Sequence, residues 1–249
     1  MNPDISIVIP AFEEEARLVG SLEKIVDHLR ENAPNTELIV VDDGSKDATA
    51  AAAEHFFAGV SDIAGRVIRY DENRGKGFAV KTGLRAAAAD IALFSDADLS
   101  TPIGEMTKLI DPITAGEFDV TFGSRALDRS LIGTHQPWRR EQGGKVFNLV
   151  VRTLTGLPFW DTQCGFKAFN LKKFTPLLDL MQIDRFGFDV EFLYVAHLHG
   201  LDLKEVPVRW NNDERSKVNV VRDSVRMFNE VREIRRNAQR GVYRNDGQT

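Results

Sequence analysis

Short apolar runs alternate with longer stretches in which apolar residues recur every three or four positions, and this alternation organises the first hundred residues. Ile5–Pro10 is rich in β-branched residues and closes on proline, the pattern of a buried strand. From Phe12 to about Glu31 the period changes. Leu18, Leu22, Ile25, Val26 and Leu29 fall on one helical face, and Glu13, Glu14 and Glu15 are expected in the first turn, where acids favour the helix dipole. Glu37–Val41 reads as a second strand, followed by a helix from about Asp47 to Phe57. Val67–Tyr70 is a third strand, and Asn73–Gly77 opens a helix reaching Ala89. A fourth strand, Ile91–Phe94, runs into Ser95-Asp96-Ala97-Asp98-Leu99 before Thr101-Pro102 opens another helix.

Strand–helix alternation of this kind predicts an α/β fold with a Rossmann-like, mainly parallel sheet flanked by helices on both faces. Ligands in such sheets sit outside the carboxyl ends of the strands. Here those ends carry Pro10 to Glu14, Asp42-Asp43, Arg74 to Lys76, and Asp96 to Asp98, so polar chemistry gathers on one edge. Gly75-Lys76-Gly77 lacks the spacing of a Walker loop or of the dinucleotide fingerprint, yet a flexible helix start with Lys76 as counter-charge suits an anion. Asp96 and Asp98 admit two readings. Asp98 or Ser100 caps the following helix, or the two carboxylates hold Mg²⁺ or Mn²⁺, which prefer hard oxygen ligands and can carry a diphosphate.

Beyond residue 115 the pattern is less regular. Phe118–Phe122 reads as a strand ended by Gly123-Ser124-Arg125, and Gly143–Leu154 as an apolar helix. Arg125, Arg129, Arg139 and Arg140 form a cationic cluster, and arginine recognises phosphate in a planar, bidentate manner. Asp189 and Glu191 start a helix but do not share a face, so they are not a paired acid and base. Leu201–Trp210 is a strand broken by Pro207. The polar loop Asn211–Lys217 would close over a diphosphate through Arg215, Ser216 and Lys217. From Asn219 to about Arg240, Val221, Val225, Phe228 and Val231 keep helical spacing with arginine in excess. Such a helix either packs its apolar side on the domain or lies in a membrane interface. The end from Tyr243 is expected to fray.

Composition narrows the classes. The net charge of −5 gives no general attraction to nucleic acid or anionic lipid. A single cysteine, Cys164, excludes an intrachain disulfide and fits a reducing, cytoplasmic compartment. Residues 1–20 lack a signal-peptide pattern, and no window approaches the roughly 18 apolar residues of a membrane span.

Val8-Ile9-Pro10-Ala11-Phe12-Glu13-Glu14, Val41-Asp42-Asp43-Gly44-Ser45, Asn73-Arg74-Gly75-Lys76-Gly77 and Ser95-Asp96-Ala97-Asp98-Leu99-Ser100 resemble the serial motifs of family 2 glycosyltransferases with the GT-A fold. Gly123-Ser124-Arg125, Asp161-Thr162-Gln163-Cys164-Gly165-Phe166-Lys167, Phe188-Asp189-Val190-Glu191 and Ser216-Lys217-Val218 are similar to its polyprenyl-phosphate sugar synthases, the dolichyl-phosphate β-glucosyltransferases above all.

The resemblance implies a GT-A domain over 1–218, followed by a basic amphipathic helix and tail over 219–249. It implies a metal-dependent, inverting hexosyl transfer, with UDP-glucose as donor, a polyprenyl phosphate as acceptor and Mg²⁺ or Mn²⁺ as cofactor. Pro10, Phe12, Glu14, Val41 and Asp43 would line the nucleoside pocket, Asp43 accepting a hydrogen bond from the base. Asp96 would sit by ribose and metal, Ala97 beside it, and Asp98 would ligate the cation. Ser124 and Arg125, with Arg139 or Arg140, would hold the acceptor phosphate, and Asp189 would orient the acceptor, bind sugar hydroxyls or cap its helix. Two positions depart from the pattern: Ser100 stands where mannose-phosphate synthases place a metal-binding glutamine, and Glu13 where asparagine is usual. The segment around Leu157–Trp160 serves either core packing or an acceptor-lipid groove. Peripheral contact with the cytoplasmic membrane face is expected, and nucleic acid is not a partner. An alternative keeps fold and donor but transfers to a hydroxyl of a soluble acceptor such as phosphoglycerate.

Overall fold

The computed structural model describes residues 2–134, 138–212 and 220–244. Its sheet strands are β1 (Ile5–Ala11), β2 (Thr36–Asp42), β3 (Ala64–Arg69), β4 (Ile91–Ser95), β5 (Val120–Ser124), β7 (Phe166–Asn170) and β8 (Leu203–Pro207). They interleave with α1 (Leu18–Asn32), α2 (Thr49–Ala58), α3 (Lys76–Ala86), α4 (Met106–Thr114), α5 (Trp138–Thr155), α6 (Leu171–Phe174), α7 (Phe188–Leu198) and α8 (Val220–Gln239). Two short strands, β6 (Ile132–Thr134) and β9 (Trp210–Asn211), pair beside the sheet.

The seven strands lie in the order β3-β2-β1-β4-β7-β5-β8. β3, β2, β1 and β4 are mutually parallel, as expected. β7 then runs antiparallel to both β4 and β5, and β8 is parallel to β5. The expected mainly parallel sheet is present, with one reversed strand in its second half. Phe166-Lys167-Ala168-Phe169 forms that strand, and all four residues are fully buried.

Period-two alternation distributes the strands between two apolar layers. Ile7, Ile9, Leu38 and Val40 face α1, α2 and α4. Val8, Ile39 and Val41 face α3, α5, α7 and α8. Each such side chain contributes about 1.5–3 kcal/mol when fully buried, so the strand register is set from both sides.

Several boundaries differ from the sequence reading: β3 spans Ala64–Arg69 rather than Val67–Tyr70, α5 spans Trp138–Thr155 rather than Gly143–Leu154, and β8 ends at Pro207. α1 begins at Leu18 with no acid in its first turn. Glu13–Glu15 instead form a loop whose amides bond to the β2–α2 connection, Glu13 N to Ser45 Oγ at 2.9 Å and Glu14 N to Thr49 Oγ1 at 2.8 Å. α3 stops at Ala86 because Ala87 turns to extended backbone on the way into β4. Tyr243 is not frayed: it is 3% exposed, and its hydroxyl donates to Glu191 at 2.7 Å. α8 itself inserts Val231 and Ile234, both fully buried, into the core that holds Phe188 and Phe192. Among the described residues no helix is long and apolar enough to cross a membrane.

Candidate active site

The carboxyl ends of β1, β2 and β4 and the start of α3 surround a cavity of ≈ 530 Å³. Pro10, Phe12, Glu14, Asp43, Lys76, Asp96, Ala97 and Asp98 line it, so the expected donor residues converge from four separate strand ends. The wall also includes Arg17, Asn73, Arg185 and Phe186, which sequence reasoning did not place there. Arg17 is marked only by its spacing three residues after Glu14, with which its guanidinium pairs. Arg185 and Phe186 sit in a connection with no periodic signal.

Each side of the cavity has a local cause. Asp43 is 3% exposed and organises the neighbouring loop. It accepts from Asn73 Nδ2 and Arg74 N at 2.8 Å and from Gly75 N at 2.9 Å. Its carboxylate lines the cavity while largely committed to that loop. Gly75 has φ 112°, a conformation that L side chains rarely adopt, and a Cβ there would come 2.4 Å from the Asp184 carbonyl oxygen. This turn delivers Lys76 to the start of α3, where its Nζ lies 2.6 Å from Asp96 Oδ1. Burial lowers the basicity of Lys76, but Asp96, then Asp189 and Asp98, outweigh it and raise the pKa above the usual lysine value. Lys76 is therefore a fixed cation.

After β4, Asp96 N donates to the Gly165 carbonyl at 3.0 Å, and Ser100 N donates to Asp98 Oδ1 at 2.9 Å. Leu99 between them has φ 50°, and across the cavity Glu13 has φ 53°. Two non-glycine residues in the left-handed region at one edge indicate backbone strain held by its surroundings, a feature that clusters at functional sites. Asparagine tolerates the positive φ found at Glu13 better than glutamate does.

Among the described residues no group of three or more His, Cys, Asp or Glu side chains forms a cation cluster. Asp96 and Asp98 supply two hard oxygen donors, and Asp98 Oδ2 has Arg17 Nη1 no closer than 4.0 Å. Mg²⁺ and Mn²⁺ are commonly held by one or two carboxylates, with phosphate oxygens and water completing the shell. The residues fit such an ion only with a diphosphate present.

Deeper in the protein lies a second charged set. Lys167 is fully buried, and its ammonium contacts Asp189 Oδ1 and the Cys164 carbonyl, both at 2.5 Å. Asp189 is 4% exposed and is held by this pair rather than directed at solvent. Lys167 belongs to a recognised motif, but sequence alone gave it no role. Arg125 is clamped by Asp161 through Nε at 2.6 Å and Nη2 at 2.8 Å. Although burial opposes it, Asp161 holds the guanidinium protonated above its usual range, and Arg125 in turn holds the Asp161 carboxyl below the usual carboxylate range. Burial pushes the Cys164 thiol up to about 11, which makes it a poor nucleophile.

Two expected site residues are corrected. Ser124 is fully buried. Its hydroxyl donates to Glu205 Oε1 at 2.6 Å and accepts from the amides of Ala126 and Leu127, so it shapes a turn and does not face an acceptor. Val41 is fully buried in the layer beneath α3 and does not line the cavity. Arg139 and Arg140 lie in the first turn of α5. The Arg215 and Lys217 expectations fall outside the described residues.

With this geometry in place, similarity to known proteins becomes informative. The family model "Glycosyl transferase family 2" matches residues 6–175. The chain is 30% identical to the "Dolichyl-phosphate beta-glucosyltransferase" of Dictyostelium discoideum over 98% of its own length and 77% of that protein's. It is 35% identical to the protein of the same description in Drosophila melanogaster, over 86% and 69%. Among solved structures, glucosyl-3-phosphoglycerate synthase from Mycobacterium tuberculosis, in complex with Mn²⁺, UDP-glucose and phosphoglyceric acid, superposes with a TM-score of 0.69. Sequence identity there is 20%, and the match covers 94% of this chain and 80% of that one.

Proposed function

This chain belongs to glycosyl transferase family 2, and from that premise we propose that it moves glucose from UDP-glucose to the phosphate of a polyprenyl or dolichyl lipid. The observation that carries the reading is the convergence of Asp43, Lys76, Asp96 and Asp98 on one cavity at the carboxyl edge of the sheet. The relatives described as dolichyl-phosphate beta-glucosyltransferases support glucose as the sugar and a dolichyl phosphate as the acceptor, and a structure of the same fold is in complex with UDP-glucose and Mn²⁺.

In this reading an acceptor phosphate oxygen attacks the anomeric carbon while the bond to UDP breaks on the opposite face, inverting the centre. Mg²⁺ or Mn²⁺, held by Asp98 with Asp96, supplies charge neutralisation on the leaving diphosphate when bound. Lys76 supplies a permanent positive charge beside the same group, and Arg17 and Arg185 on the cavity wall add to that field. Arg125, oriented by Asp161, has five N–H donors of which that acid engages two through the side chain. It receives the acceptor phosphate. A phosphate nucleophile is already anionic and needs no general base.

The structural likeness to a glucosyl-3-phosphoglycerate synthase favours a hydroxyl acceptor on a soluble molecule. A hydroxyl requires a base, and Asp189 is buried and tied to Lys167 at 2.5 Å, which supports phosphate instead. Contact with the lipid is peripheral, at the cytoplasmic membrane face. The test is transfer of label from radiolabelled UDP-glucose with Mn²⁺ to short-chain polyprenyl phosphate, extracted into organic solvent. Label in the lipid is expected, and failure of every nucleotide sugar to label it refutes the acceptor assignment.

A further inference from the structure

The cavity wall formed by Arg185 and Phe186 belongs to an irregular connection between residues 182 and 187, just before α7. On its inner side it is held by α3: Phe78 N donates to the Asp184 carbonyl at 3.1 Å, and Lys81 Nζ lies 2.6 Å from Asp184 Oδ1. On its outer side it is held by the C-terminal segment. Gly187 N donates to Glu230 Oε2 of α8 at 2.6 Å. Gln182 N and Ile183 N donate to the two oxygens of Glu191, each at 2.8 Å. Glu191 is fully buried and also accepts from the Tyr243 hydroxyl at 2.7 Å. Tyr243 is fixed in turn by its carbonyl, 2.8 Å from His199 Nε2.

Burial raises the pKa of both Glu191 and Glu230, and bonds from the amides of the connection oppose that rise. Each acid therefore loses favourable contacts if the connection moves away. Two of the pins, Glu230 and Tyr243, lie in chain that follows the whole sheet. Neither lines the cavity: Glu230 acts on the connection through the Gly187 amide and through its charge opposite Arg185, and Tyr243 acts through Glu191.

We propose that Glu230 and Tyr243 are positioning residues for donor binding: they pin the 182–187 connection from behind and so fix the Arg185–Phe186 wall against the nucleotide. The proposal rests on the reading of the cavity as a nucleotide-sugar site. It makes the C-terminal segment a determinant of donor affinity without contact to the donor.

The test compares Glu230→Ala, Glu230→Gln and Tyr243→Phe with the unaltered protein. UDP binding with Mn²⁺ is measured by calorimetry, donor KM and kcat by steady-state assay, and Tm by circular dichroism. Loss of one ordering hydrogen bond predicts a UDP Kd and donor KM about fivefold higher in Glu230→Ala, with kcat changed less than about twofold. Glu230→Gln keeps an oxygen acceptor for Gly187 N and restores Kd to within about twofold. Tyr243→Phe weakens UDP in the same direction. If the variants have lower Tm but bind UDP as tightly as the unaltered protein, the two residues are merely structural and the proposal fails. Should Glu230→Ala not fold, equal affinity in Tyr243→Phe refutes it alone. Absence of UDP binding by the unaltered protein overturns the nucleotide-site reading and this proposal together, whereas binding that is indifferent to the variants overturns only the latter.

Discussion

Gly165→Ala isolates the placement of a single carboxylate. Gly165 precedes β7 and lies against Asp96, so a Cβ added there would stand 2.0 Å from Asp96 Oδ2 and 2.3 Å from its Cγ. No van der Waals contact is that short, and the side chain must rotate. Backbone strain does not enter, because Gly165 is not among the positive-φ glycines. Rotation forces Asp96 towards an unfavourable rotamer and breaks its 2.6 Å contact with Lys76. The rotamer costs about 0.5–1.5 kcal/mol, and a partly exposed ion pair adds at most about 1 kcal/mol. Total destabilisation of about 1–2 kcal/mol corresponds to a fall in Tm of roughly 2–8 °C for a chain of this size. The functional loss is expected to be larger, since misplacing a substrate-positioning group by about an ångström can cost about 100-fold. Thermal melts and kcat/KM for UDP-glucose with Mn²⁺ measure the two effects on the same sample. Activity within threefold of the unaltered protein would show that transfer does not depend on Asp96 where the fold puts it. A collapse of Tm far beyond the calculated range would instead make Gly165 a folding residue.

Asp98→Ala is expected to reduce transfer by at least about 100-fold with only a small change in Tm, because relief of repulsion with the neighbouring carboxylate offsets the lost bond from Ser100 N; an unchanged rate rules out Asp98 as the cation ligand. Lys167→Met leaves Asp189 buried without its partner and is expected to cost about 3–5 kcal/mol. The double variant Lys167→Met/Asp189→Leu should recover most of that loss in chemical denaturation, and failure to recover would mean that the pair is not coupled. For Asp161 the sign follows from its lowered pKa in the folded state. Between that value and about 3.9 the unfolded chain binds more protons, so the contribution to stability is complete above about 3.9 and is lost as pH falls through the folded value. The Tm difference between the unaltered protein and Asp161→Asn should therefore shrink below about pH 4, and a constant difference would contradict the pairing with Arg125.

β1, β2 and β4 were legible because parallel strands buried on both faces leave continuous apolar runs, and Ile5–Pro10 and Glu37–Val41 are such runs; the edge strand β3, partly exposed along its length, was read three residues late at its start. β7 was hidden for the opposite reason. Phe166-Lys167-Ala168-Phe169 carries a lysine in its interior, which sequence patterns read as exposure, and only the fold reveals that Asp189 neutralises it at 2.5 Å. Helix starts were misplaced where side chains override the period. Glu13–Glu15 look like a first helical turn, but the amides of Glu13 and Glu14 donate to Ser45 Oγ and Thr49 Oγ1, which keeps the segment in a loop.

The candidate site divides along the same line. Residues at strand ends could be assigned to one edge from sequence, because sheet polarity places every carboxyl end together. What the pattern could not supply was direction. Ser124 and Arg125 are adjacent in sequence, yet the first turns inward to Glu205 and the second is fixed by Asp161. Side chains from distant chain segments decide both orientations. The same holds for the cavity wall, whose Arg185 and Phe186 depend on Glu230 and Tyr243, contributed some fifty residues later. A motif therefore identifies the charged groups that gather at the cavity, while the long-range bonds behind them determine how those groups are directed.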